Sequence, residues 1–462
     1  MNYSAENAQL WNFIIQIGII AFMMLLANIL RLKIPFVKKS LLPTSVLAGF
    51  ILLGIKYIPG VKIDTKLLEI LTYHGIALGF IALSLRVPKN DSSSGGVKTA
   101  INSGALIVST YLVQELIGLS LSLILAYTFL PNLFKASGLL LAMGYGQGPG
   151  QANNVGSTYE AMGFVGGKSY GLAIAATGFL VACIVGVIYL NVENKRGKLK
   201  RQTHEELSGS VTIETFQDDH EMPISQSIDK FSIQAALVLF TYLVTFGVIF
   251  GVTWLLKKFA PGVHSTLAPL LWGFNFIFGS LFALLVRKIM ITMNNKGHVK
   301  YQYQNNYLLN RISGLCFDVM IICGIASIDF EDLHGLWLPF ALTATLGGVG
   351  TFFYLKFMSK KLFPDYEQEA FLSMFGMLTG TISSGILLVR EIDPDFRTPA
   401  ANNLVAGSGT GIVFGAPILV FIGLAAKSST MAFVSLGIIV AYLAILILIL
   451  FLNSRKKKSE LN

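Results

Sequence analysis

Stretches of about 20 apolar residues recur along the whole chain, and most charges fall between them. A bilayer core of about 30 Å takes about 20 residues of helix, and a soluble fold has no use for so many such runs. Only 13% of residues are charged, against 53% hydrophobic, where a soluble domain carries about 25% charged. The expectation is an all-α integral membrane protein. Spans are placed near 11–30, 41–56, 67–86, 99–130, 169–191, 232–257, 266–286, 307–328, 334–356, 400–424 and 430–452, eleven in all. Two other apolar stretches, 137–163 and 370–390, are interrupted by Gly, Pro, Ser, Thr, Asn and Gln and read as re-entrant broken hairpins.

Charge bias orients these elements. With the N-terminus outside and each broken stretch entering and leaving on one side, the inside loops collect Arg31, Lys33, Lys38 and Lys39, then Arg86 to Lys98, Lys195 to Arg201, Arg287 to Lys300, Lys356 to Lys361 and Arg455 to Lys458. The outside loops hold only scattered lysines. This matches the positive-inside rule and places the C-terminus in the cytoplasm of a bacterial-type plasma membrane. The net charge of +10 then reports anionic headgroups; no nucleic-acid motif accompanies it. The start, MNYSAENAQLW, lacks the basic n-region of a signal peptide, so the first span is expected to be retained. Cys183, Cys316 and Cys323 lie in apolar segments without metal-ligand spacing and read as packing residues.

The element order repeats at an offset of about 230 residues. Pro43 in the second span corresponds to Pro269, Pro131 before the first hairpin to Pro364, and Gly144 and Gly148 to Gly376 and Gly380. Five spans per half is an odd number, so the second half is inverted. The expected layout is an N-terminal repeat (1–191), a polar cytoplasmic linker (192–230), an inverted repeat (231–424) and an extra helix with a basic tail (425–462). Inverted repeats with discontinuous helices are a recurring construction of secondary transporters.

The hairpin tips carry the candidate site. In the first, Gly146, Gln147, Gly148, Pro149 and Gly150 break a helix, and Gln151, Asn153 and Asn154 open a second one. Glycine lets backbone approach a ligand closely, and the new helix directs partial positive charge at an anion. No strand precedes this run and no Gly-Lys-Ser/Thr follows it, which excludes a nucleotide-binding loop. In the second hairpin Thr379, Gly380, Thr381, Ser383 and Ser384 form the polar tip. Hydroxyls and carbonyls are hard ligands, so Thr379, Thr381 and Asn154, with Asp318, are the expected sodium ligands. Asp318 and Glu115 are intramembrane carboxyls, readable as ion ligands, proton carriers or halves of ion pairs. Arg390, His74, Arg311 and Glu160 read as interfacial or capping groups.

The stretch from Gly144 through Gly146-Gln147-Gly148-Pro149-Gly150 to Ala176-Thr177-Gly178-Phe179 resembles the sodium/glutamate symporter family, whose first hairpin carries a Gly-His-Gly-Thr-Gly run. Pro43 to Phe50 is similar to that family's early proline-and-glycine segment. The resemblance implies Na⁺-coupled import of glutamate or a related anionic amino acid or carboxylate by alternating access, with the tips as substrate site and a homodimer possible. His gives way here to Gln147, Thr to Pro149, and the second tip matches only loosely. The residues themselves leave open a proton-coupled carrier, an exporter and a passive channel. No enzymatic constellation is apparent, and no organic cofactor is expected.

Overall fold

In a computed structural model the described residues are 3–4, 6–87, 94–197, 230–273, 275–296, 301–393, 398–415 and 417–459. The regular elements among them are all helices. Nine of the described helices are long and apolar enough to cross a membrane. The chain folds as two compact units, neither of which is one half of the sequence. The first comprises residues 1–72, 93–202 and 321–462, and the second residues 73–92 and 203–320.

The first unit contains α1 (Ala8–Lys33), α2 (Pro35–Lys39) and α3 (Thr44–Lys56), and the start of α4 (Thr65–Leu85). It continues with α5 (Ser94–Thr128), then a short 3₁₀ turn (Ser137–Leu139) and a π-helical turn (Ala142–Gly146), α6 (Pro149–Ala161) and α7 (Gly167–Lys195). The second unit contains the rest of α4, then α8 (Lys230–Phe259), α9 (Pro261–Gly273), α10 (Asn275–Asn295) and most of α11 (Asn306–Ala326). The first unit then resumes with α12 (Trp337–Leu362), α13 (Glu367–Thr379), α14 (Ile382–Arg390), α15 (Ala400–Gly415), α16 (Ile418–Ala425) and α17 (Ser429–Ser459).

What the helices bury shows which solvent they fit. On α8 the buried stripe is Gln234, Val238, Thr241, Thr245, Ile249 and Thr253, while Leu239, Phe240, Leu243, Phe246 and Phe250 are each more than half exposed. The threonines satisfy themselves by donating to carbonyls one turn back, Thr245 to Thr241 at 2.8 Å and Thr253 to Ile249 at 2.8 Å. A helix that hides hydroxyls and displays phenyl rings is an aggregation hazard in water. In hydrocarbon the same face costs nothing, because every backbone group is paired within the helix. The nine apolar helices and this inside-out patterning make the chain an all-helical, multi-pass membrane protein.

Two expected spans differ from the helices found. The stretch 41–56 forms a helix only over Thr44–Lys56, about 20 Å at 1.5 Å per residue. Pro43 starts it and takes away a donor. Over the span expected at 266–286 the described helices are α9 up to Gly273 and α10 from Asn275, and position 274 lies outside the described residues. The Asn275 amide there donates to the Tyr242 hydroxyl at 2.9 Å. The span expected at 400–424 is α15 followed by α16, with Pro417 at the N-cap of the second. Proline has no N–H to continue the helical ladder. The 192–230 linker begins later than expected, since α7 runs to Lys195; positions 198–229 lie outside the described residues.

Packing in the first unit centres on the hairpins. Phe371 and Phe375 of α13 stack at 5.6 Å, and Phe352 of α12 meets both edge-on. Elsewhere backbone presses on backbone. A Cβ on Gly118 of α5 would stand 2.0 Å from the carbonyl oxygen of Gly138, and one on Gly138 would be as badly placed against Gly118. Glycine there is a requirement of close approach.

In the second unit Ile81, Leu85, Val238, Ala283 and Leu309 form the core. The Tyr73 hydroxyl donates to the Trp272 carbonyl at 2.7 Å, and the His74 Nδ1 and Tyr242 hydroxyl lie 2.7 Å apart. Arg287 donates to the carbonyls of Ser84 and Arg86.

Candidate functional site

Both interrupted stretches are helix–break–helix, and each breaks where the polar tip was expected. The first arm ends in the π turn, closed by the Gln147 N–H donating to the Ala142 carbonyl at 3.1 Å. Gly148 then takes φ +90°, and Pro149 opens α6. A φ of that sign favours glycine, and proline at the first helical position gives up an N–H that has no intrahelical partner anyway. In the second stretch α13 ends at Thr379, Gly380 follows, and extended Thr381 caps α14. The four helical pieces are too short to cross a bilayer, so the breaks fall inside the protein.

The two tips meet. A Cβ built on Gly148 would find only the Gly380 carbonyl oxygen, at 4.0 Å. Two helix N-termini, those of α6 and α14, therefore converge near two helix C-termini. Neither N-terminus has a side-chain cap. The first N–H groups of a helix lack intrahelical acceptors and carry partial positive charge, while the last carbonyls carry the opposite sign. That arrangement sets partial positive and partial negative charge side by side.

Side chains around the tips are buried and polar. Gln151 is 0% exposed, and neither its oxygen nor its nitrogen has a hydrogen-bond partner among the described residues. The same holds for Asn153 Oδ1, Thr381 Oγ1 and Ser384 Oγ. Buried polar groups are nearly always paired, and each exception requires an explanation such as a ligand or water. Thr379 differs, since its hydroxyl donates to the Phe375 carbonyl at 2.7 Å. Asn154 is buried too, and its carbonyl accepts from Thr158 Oγ1. Gly146 and Gly150 are buried, and Gln147 is partly so; Ser383 is exposed.

The surrounding helices hold the tips. The Gln114 amide of α5 donates to the Leu378 carbonyl at 2.7 Å and to Thr351 Oγ1 of α12 at 3.0 Å. Gly178 of α7 lies so close to the second tip that a Cβ there would be 2.2 Å from the Thr379 carbonyl oxygen. Pro149 packs against Gly324 of α11, and the Tyr145 hydroxyl donates to the Ala344 carbonyl at 2.8 Å. Gln114 is the residue that sequence reasoning passed over. The adjacent Gln114-Glu115 pair in an otherwise apolar helix was the signal for it.

The structure thus brings together the tip residues of both hairpins within one unit. Asp318 belongs to the other unit, half-buried on α11. Among the described residues no group of three or more His, Cys, Asp or Glu is placed to hold a metal ion. Carbonyl and hydroxyl oxygens are the ligands the tips supply, and these suit a weakly held alkali cation better than a transition metal. No protein-family model matches the chain, and no curated protein matches it.

Proposed function

We propose that the chain is a sodium-coupled secondary transporter that imports a small anionic amino acid or carboxylate, glutamate-like in charge, by alternating access. The observation that carries this reading is the meeting of two broken helices at Gly148 and Gly380, ringed by buried polar atoms without partners among the described residues. A folded membrane protein gains nothing by burying Gln151 and Asn153 without partners, because each such group costs about 1–3 kcal/mol. A solute that supplies the missing bonds offsets that cost. The uncapped N-terminus of α6 faces the carboxylate of the solute, and Gln151 and Asn153 complete its hydrogen bonds. The carbonyls ending the first arm and α13, with the Thr381 hydroxyl and Asn154, take the sodium ion. The repeated order of long helix, break and short helix supports two inverted repeats, whose exchange of conformations opens the tips to each side in turn.

The test is flux. Purified protein in proteoliposomes is given an inward Na⁺ gradient and radiolabelled L-glutamate, L-aspartate or a dicarboxylate. Concentrative uptake of at least one of these, abolished when choline replaces Na⁺, is the expected result. Uptake driven equally by a proton gradient in Na⁺-free buffer refutes sodium coupling. Equilibration without accumulation refutes secondary transport and identifies a passive pathway.

A further inference from the structure

The sodium-coupled reading leaves a fully buried carboxyl in the middle of a helix unused. Glu115 lies near the middle of α5, is 0% exposed, and neither carboxyl oxygen has a hydrogen-bond partner among the described residues. An ionised carboxylate in such a place costs several kcal/mol even after relaxation. A neutral acid leaves only an unpaired polar group, at about 1–3 kcal/mol.

Among the described residues no salt bridge or hydrogen bond compensates the charge. From α6, Tyr159 is within electrostatic range of Glu115, but its hydroxyl donates to the Ile422 carbonyl at 3.0 Å. Glu160, next to it, accepts from the Lys168 N–H. The first arm offers Tyr145, committed to the Ala344 carbonyl. From α12, Tyr354 donates to Ser109, six residues along α5, and Lys356 lies further on, over the rings of Tyr189 and Phe352. Lys360 and Lys361 follow it at the end of that helix. On α13 the acids Glu367 and Glu369 are in the first turn, at the end away from Gln114 and the tip. α17 offers Tyr442, which donates to the Phe414 carbonyl; its basic residues come after Asn453, which is already level with Asn102 of α5. α15 and α16 contain no ionisable side chain. On α5 itself the near group is Tyr111, another phenol, and Lys135 beyond its end is bound to Ser429.

The position matters as much as the burial. Gln114, the preceding residue, clamps the Leu378 carbonyl of the second hairpin. One turn further on, Gly118 presses on Gly138 at the root of the first hairpin. Glu115 therefore occupies the stretch of α5 that touches both hairpins. An apolar side chain in the same place would leave no polar atom to satisfy.

We propose that Glu115 is a proton-binding site within the membrane, holding a neutral carboxylic acid in this arrangement and giving its proton to water when the hairpins part from α5. The O–H bond breaks, the proton passes to a water molecule, and the carboxylate is reprotonated on closure. Proton occupancy stands on the geometry alone; its release in the transport cycle rests on the transporter reading above.

Infrared difference spectroscopy of the purified full-length protein separates these two statements. At neutral pH the wild type should show a protonated-carboxyl C=O band that E115Q lacks, and E115L should lack it as well. The band should shift down when the sample is moved into D₂O, because an exchanging site takes up deuterium. Absence of an E115Q-sensitive band means that Glu115 is ionised and overturns the proposal. A band that never shifts in D₂O means a sealed structural acid, and overturns the exchange step. Neither readout uses transport, so a failed uptake assay leaves both outcomes interpretable. The D₂O shift needs no variant and stands even where a substitution impairs folding.

Discussion

Replacing Gly178 with alanine tests whether α7 is packed directly against the second hairpin tip. The new Cβ would lie 2.2 Å from the Thr379 carbonyl oxygen and 2.8 Å from the Tyr145 ring, where ordinary contact begins at 3.4 Å. The carbonyl is backbone, and the ring is tethered through its hydroxyl to Ala344, so no rotamer change relieves the contact. The helix and the tip must separate by about 1 Å. Overpacking of this kind costs about 1–3 kcal/mol, and the gain from alanine over glycine in a helix returns about 0.5–1 kcal/mol. The net expectation is a loss of about 1–2 kcal/mol. Gly437 on α17 is the control, since nothing lies within 4 Å of a Cβ there; G437A keeps only the propensity gain. Thermal unfolding in detergent, titrated with NaCl against choline chloride, reads both effects. G178A should unfold below the wild type and G437A at or above it. If the tip carbonyl binds sodium, G178A should also need about ten times more Na⁺ for half its stabilisation, the equivalent of about 1.4 kcal/mol. A G178A protein matching G437A in both respects would show that α7 does not press on the tip.

Three further outcomes can be checked. T381V and N153L remove buried polar atoms that have no protein partner, so unfolding temperature should hold or rise while Na⁺-dependent glutamate uptake is lost; normal uptake with reduced stability contradicts the site. Q114L leaves the buried Leu378 carbonyl and Thr351 hydroxyl without their donor and should cost about 1–3 kcal/mol in denaturation midpoint. Asp64 caps α4 by accepting from the Leu67 N–H at 3.1 Å and from the Asn12 amide at 2.9 Å. These two bonds, the Leu67 bond foremost, hold its carboxyl below the usual range. Its contribution is therefore present above the unfolded value near 4 and fades as pH falls through the lower folded value. D64A should cost about 1 kcal/mol or less at neutral pH. D64N, which still caps, should flatten the acid limb of a stability–pH curve; an unchanged limb removes Asp64 from the account.

Much of this was legible in the sequence. The membrane class followed from apolar length alone, because the bilayer thickness sets how many residues a helix must spend. Both breaks were legible as well. At Gly148-Pro149 a conformation that suits glycine and a missing N–H meet polar neighbours that hydrocarbon excludes, and at Gly380-Thr381 a run of hydroxyl residues marks the break; such signals are local. The split at Pro417 was missed for the converse reason, since hydropathy sums over neighbours and one breaker barely changes the sum.

Only the tertiary structure decided what the tips touch. Gly148 and Gly380 are more than 200 positions apart, and no periodicity in either stretch says that one faces the other. Nor does sequence distinguish Gln114, whose amide nitrogen makes two bonds, from Glu115, whose carboxyl has no hydrogen-bond partner among the described residues, although they are adjacent. Consecutive helical residues point about 100° apart, so one reaches the second hairpin and its neighbour does not. Length, polarity and breaks are properties of a segment and can be read along it. Pairing, burial and the missing partners of a polar atom are properties of what surrounds the segment, and only packing supplies those.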